Sequence, residues 1–204
     1  MQQNKQEVEH VVSRMLPRLL MFVAVVGFLA SFILTIDTIK HLKNPAYDPV
    51  CNISPLISCG SVMATDQAEV LGFPNPLIGV VGFTMLGTIA FAMFAGARFK
   101  RWFWLTLNTG LLTGVLFVHW LIFQSVFVLE SLCPYCMVSW AVIIPGFWYV
   151  TIYNLVENNL NLTKSWRRLG NFAIRHHFDI VVVWLLAILV TILIKFWYYW
   201  STLL

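Results

Sequence analysis

Charged residues are scarce in this chain: Asp, Glu, Lys and Arg fill 11% of 204 positions, against 59% hydrophobic. A water-soluble domain of this size needs more polar surface to cover its core. The shortage excludes an ordinary soluble globule and makes lipid part of the solvent. The net charge of +4 is small and scattered, which gives no footing for nucleic acid. No glycine-rich nucleotide fingerprint occurs, so a nicotinamide cofactor has no support. A Cys-x-x-Cys-His haem attachment and zinc-ribbon spacing are also missing. Cysteine is sparse, yet its four copies fall in two close pairs, Cys51 with Cys59 and Cys133 with Cys136.

What is abundant is apolar run length. A membrane-spanning helix takes about 20 apolar residues. Residues 19–36, 75–97, 102–129 and 134–156 qualify without a single Asp, Glu, Lys or Arg. A fifth run, 180–200, carries one charge, Lys195, near enough to its end to snorkel. No barrel-type alternation accompanies these runs, so all five are read as helices. The first follows Arg14 and Arg18 and is read as a span, because it is long for a signal segment and lacks an Ala-x-Ala site. The expected fold is an all-α membrane protein.

Lys and Arg set the orientation. Lys5, Arg14, Arg18, Arg98, Lys100, Arg101, Lys164, Arg167, Arg168 and Arg175 fall on one side. Lys40, Lys43 and Lys195 fall on the other. The N-terminus is therefore expected in the cytoplasm and the C-terminus outside. Both cysteine pairs then share the outer face, where disulfides persist.

Cys133 opens a helix whose first residue, Pro134, loses nothing by lacking an N–H. Free backbone N–H groups there favour a thiolate. Cys136 lies one turn deeper. Cys51 and Cys59 sit in a long loop, 37–74; the segment before Cys59 reads as flexible, and the segment after it as a short amphipathic lid helix. Three readings of the pairs stay open on the residues alone: a redox relay, two structural disulfides, or a four-cysteine zinc site.

The ordered set of two loop cysteines with ISCGSV around the second, then GFPNPLIGVVGF, then CPYC at a helix mouth resembles the vitamin K epoxide reductase family, particularly its bacterial members. The resemblance covers roughly residues 14–156. It implies a four-helix bundle around a quinone (menaquinone or ubiquinone), capped by the cysteine loop, in the bacterial cytoplasmic membrane. Residues 1–157 would be this catalytic core, and 158–204 a basic cytoplasmic loop plus the fifth transmembrane helix. The resemblance makes Cys133 and Cys136 the active-site pair, with Cys136 nearest the quinone, and Cys51 and Cys59 the shuttle pair, with Cys59 able to bridge to Cys133. Asn75 matches an asparagine that hydrogen-bonds a quinone carbonyl. Trp140 stands where the vertebrate enzymes have a tyrosine. A thioredoxin-fold disulfide oxidant acting in trans is the expected electron donor. Alternatives are epoxide reduction of the vertebrate kind, and a structural protein with inert disulfides.

Other residues carry weaker signals. Met63 and Phe83 are placed to line the quinone pocket. His119, inside the third span, is a candidate proton relay, against the plainer reading of a neutral histidine bonded to a neighbouring helix. Asn108 and Gln124 are expected to bond between helices, and Asp37 to face water. Trp102, Trp104, Trp197, Tyr198, Tyr199 and Trp200 read as an interfacial belt. Gly79, Gly82 and Gly87 read as close-packing positions.

Overall fold

Apolar run length dominates the architecture. In the computed structural model, which describes residues 2–44 and 46–201, five helices are long and apolar enough to cross a membrane. The side chains of 2–13, 164, 165 and 200 lie outside the description, and with them the expectations for Lys5, Lys164 and Trp200. In chain order the helices are α1 (Gln2–Lys43), α2 (Cys59–Met63), α3 (Pro76–Phe94), α4 (Arg101–Phe123), α5 (Pro134–Val156), α6 (Lys164–Arg175), α7 (His177–Lys195) and α8 (Trp197–Ser201). A 3₁₀ turn spans Asp66–Glu69, and a π-helical turn, Gln124–Val128, extends α4. Among the described residues the only bridge of β type joins Ile57 to Leu132.

α1 packs against α3 and α5, and α4 packs against α5. α3 and α4 make little contact with each other, which leaves a gap between them. The core near α1 joins Leu16, Leu20 and Val23 to Phe83, Leu86 and Val150. Gly79 and Gly87 face α1, where a Cβ on Gly79 would overlap Ser31 and one on Gly87 would lie 3.3 Å from Ala24. Gly82 instead meets no neighbour and opens on the gap. Asn108 bonds between helices as expected, accepting from Thr151 of α5 at 2.9 Å. Trp104 departs from the belt reading: it is 4% exposed and packs on Tyr153 with ring centres 4.3 Å apart. Trp102, Trp197 and Tyr198 are exposed.

Three departures from the sequence expectations matter for the site. First, α1 runs on to Lys43, past the apolar run, and carries Asp37 and Thr38 to the cysteine end. Asp37 is buried rather than facing water, because Tyr47 of the loop donates to its carboxylate at 2.9 Å. Second, the basic segment after α5 contains a helix, α6. Third, the last apolar run breaks at Phe196, where backbone angles leave the helical range between α7 and α8.

Candidate active site

Cys133 caps the N-terminus of α5 in an extended conformation, and its carbonyl accepts the first helical bond from Met137 N at 3.0 Å. Its thiol is held below the ordinary cysteine range. The Cys136 thiol hydrogen-bonds to it and, with the Cys136 and Tyr135 backbone N–H groups, outweighs burial, which acts upward. Cys59 opens α2 and is fully buried. The two sulfurs, Cys59 Sγ and Cys133 Sγ, stand 3.3 Å apart. Cys51 and Cys59 share a disulfide, while Cys133 and Cys136 are thiols.

The loop that carries the disulfide is pinned rather than loose. Leu132 N donates to Leu56 O at 2.8 Å, and Ser58 N donates to Leu132 O at 3.0 Å. These bonds lay the Cys59 segment beside the turn that leads into Cys133. The Ser61 and Ser131 hydroxyls meet at 2.6 Å across the same seam. Asn52 is the loop's internal tie: its Oδ1 accepts from Ser58 Oγ and from Gly60 N, each at 2.9 Å, and its Nδ2 donates to Asp48. A Cβ on Gly60 would lie 2.9 Å from the Asn52 amide nitrogen, so a side chain there would push the Asn52 amide aside. Ser58 in turn caps α2, its Oγ accepting from Ser61 N at 3.1 Å. The lid is tied to α1 through Thr38 Oγ1, which lies 3.1 Å from Met63 Sδ.

Behind the cysteines lies a cavity of about 750 Å³ between α1, α3, α4 and α5, roofed by the lid. Its walls are almost entirely apolar. Cys59, Cys133 and Cys136 line it, together with Met63, Asn75, Phe83 and Trp140. Cys51 is buried at 5% exposure but does not reach the cavity, and its neighbours Val50 and Ile53 are 87% and 71% exposed.

Two of the expected polar residues, Asn75 and His119, have partners within the protein. Asn75 Nδ2 donates to Gln67 O at 2.7 Å and its Oδ1 accepts from Val70 N at 3.2 Å, so its amide ties the lid to the head of α3. One amide hydrogen remains for a ligand. Trp140 is 4% exposed, and its indole N–H has no hydrogen-bond partner among the described residues. His119 does not line the cavity. Its Nδ1 bonds Val115 O at 2.8 Å, and its Nε2 accepts from Trp184 Nε1 of α7 at 2.9 Å. Both ring nitrogens thus have protein partners, and the imidazole faces the fifth helix.

The model of the vitamin K epoxide reductase family matches residues 18–151. The chain belongs to this family. The matched stretch runs from α1 into α5 and contains both cysteine pairs and the lid. α6 and α7 follow it. Membership supports a membrane oxidoreductase acting through disulfides and quinones.

The sequence passed over several residues that shape this site. Nothing in the sequence gives Asn52, Ser61 or Ser131 a structural role, since their partners are far along the chain or across the loop. Glu130 is another: it takes φ +49° just before the Cys133 segment and pairs with Lys195 of α7 at 2.8 Å.

Proposed function

We propose that the protein re-oxidises a thioredoxin-fold dithiol partner and passes two electrons through its cysteines to a membrane quinone, in support of disulfide formation. The observation that carries this reading is the 3.3 Å contact between Cys59 and Cys133 at the roof of a large apolar cavity. Two inert disulfides would have no use for a contact across the pairs.

The steps balance as thiol–disulfide exchange. A partner thiolate attacks Cys51, forming a mixed disulfide and releasing Cys59 as thiolate. The partner's second thiolate attacks its own sulfur in that bond, leaving oxidised partner and reduced Cys51. With Cys133–Cys136 oxidised, the Cys59 thiolate attacks Cys133 and Cys136 departs as thiolate. Cys51 then attacks Cys59, which restores Cys51–Cys59 and leaves Cys133 and Cys136 reduced. The observed pairing, a closed loop disulfide beside two thiols, corresponds to that point of the cycle. A quinone in the cavity would accept two electrons and two protons from Cys133 and Cys136.

This chain's own groups prepare the last step. The α5 N-terminus favours charge on Cys133. Trp140 and the spare Asn75 hydrogen are among the donors available to carbonyl oxygens, and Met63 and Phe83 supply apolar wall. An indole can donate but cannot act as a phenol, which favours quinone over epoxide as substrate. The gap between α3 and α4 gives an apolar acceptor a route from lipid. Burial of Cys51 requires loop movement before exchange, and exposed Val50 and Ile53 suit an apolar groove on the partner. The direction is favourable when the partner is strongly oxidising, about −120 mV, and the acceptor is at least as oxidising. The Lys and Arg bias supports a cysteine end on the outer face of the membrane, which on this reading is a bacterial cytoplasmic membrane.

The test is quinone reduction by purified protein with a reduced thioredoxin-fold donor. Wild type should turn over and Cys136→Ser should not. Unchanged turnover in Cys136→Ser would remove CPYC from the chemistry.

A further inference from the structure

α6 has a division of faces that the redox cycle does not use. Trp166, Leu169 and Phe172 recur every third residue and are 61%, 61% and 58% exposed. Arg168 and Arg175 border this face on the Phe172 side, Arg167 lies away from it, and Ile174 fastens the helix to Ile152 and Val156 of α5. The helix lies between the ends of two spans, α5 and α7, at the end away from the cysteines. A helix of this composition in that place suits a membrane interface.

A second observation adjoins it. Phe172, Ile180, Val183 and Trp184 form the apolar walls of a groove of about 440 Å³ running from α6 onto α7, with the His176–Asp179 pair, 3.0 Å, at its rim. Arg168 lies four residues before Phe172 and Arg175 three after it, so both flank this wall on the helix surface. Neither arginine has an acidic partner among the described residues. An apolar groove beside two unpaired guanidinium groups matches an acyl chain joined to a phosphate.

We propose that α6 and the start of α7 form a binding site for an anionic phospholipid, its phosphate met by Arg168 and Arg175 and one acyl chain lying along Phe172, Ile180 and Val183. Guanidinium groups suit phosphate because their donors pair with its oxygens two at a time. The lipid would hold the hinge at His176, where the chain leaves helical geometry between α6 and α7.

The test uses the full chain in detergent, titrated with phosphatidylglycerol and with phosphatidylcholine of the same acyl chains, with bound lipid counted by native mass spectrometry. Wild type should bind phosphatidylglycerol about tenfold or more tightly than phosphatidylcholine, and added salt should narrow that ratio. Arg168→Gln with Arg175→Gln should bring the ratio close to one. Phe172→Ser should weaken both lipids and leave the ratio standing. Equal binding of the two lipids by wild type, or a ratio unchanged in the arginine variant, would overturn the proposal. Displacement of phosphatidylglycerol by inorganic phosphate would also overturn it, because the site would then recognise a free anion. None of these readouts depends on the redox reading.

Discussion

Replacing Asn52 with Ala removes the tie that holds the loop disulfide over the active-site thiols. Asn52 Oδ1 accepts two hydrogen bonds, from Ser58 Oγ and Gly60 N, at the N-terminus that presents Cys59. Each is worth about 1 kcal/mol net, so the loss is about 2 kcal/mol, roughly a 30-fold change in how firmly the α2 N-terminus is held. Exchange between Cys59 and Cys133 depends on holding two sulfurs near contact, and loosened positioning lowers the effective concentration of one for the other. Partner-driven quinone reduction in Asn52→Ala should therefore fall by about one order of magnitude. A small dithiol that reduces Cys133–Cys136 directly bypasses the loop, so turnover with it should be unchanged. Both rates can be followed by quinol absorbance in one preparation. Equal losses with both donors would mean global damage, and no loss with either would refute the claim that Asn52 positions Cys59.

Other perturbations separate the roles further. Trp140→Phe keeps the apolar wall and removes the buried indole N–H; KM for quinone should rise several-fold with the helical circular dichroism unchanged. His119→Leu strands the Trp184 N–H, and should lower Tm by a few degrees for a loss of about 1 kcal/mol while leaving quinone turnover in place, as befits a histidine outside the cavity. Cys133 is held low chiefly by Cys136, so its alkylation rate should fall with decreasing pH through a midpoint below the ordinary value of about 8.5. In Cys136→Ala that midpoint should rise, since the leading cause of the lowering is gone. Lys195→Met removes the ion pair to Glu130 and should slow partner-driven turnover by a few-fold at most, a partly exposed pair being worth about 1 kcal/mol or less; the double exchange Lys195→Glu with Glu130→Lys should restore it.

The spans and the helix-mouth cysteines were legible because both signals are local. Apolar runs without charge locate spans whatever their neighbours, and Pro134 after Cys133 marks a helix start by itself. Asn75 and Trp140 are singled out by the family resemblance and Met63 and Phe83 by their position along the chain, and all four line one cavity. What escaped the sequence depends on distant partners. Asp37 reads as a water-facing charge until Tyr47 folds back onto it, ten residues later. For His119 the plainer reading, a bond to a neighbouring helix, is the one seen, but its partner, Trp184 of α7, has no local signal. The CNISPLIS segment reads as flexible because its bonds go to Leu132, far along the chain. α6 was within reach: KSWRRLGNFAIR alternates basic and apolar residues at helical spacing, but the basic residues were read for topology alone.

The most direct test of the central claim, that electrons pass from the loop pair to the CPYC pair, is quinone reduction by Cys51→Ser with two donors. The account predicts that this variant loses turnover with a reduced thioredoxin-fold protein and keeps it with a small dithiol that reaches Cys133. Sustained turnover with the protein donor would contradict the account, because the partner would then be reaching Cys133 without the loop.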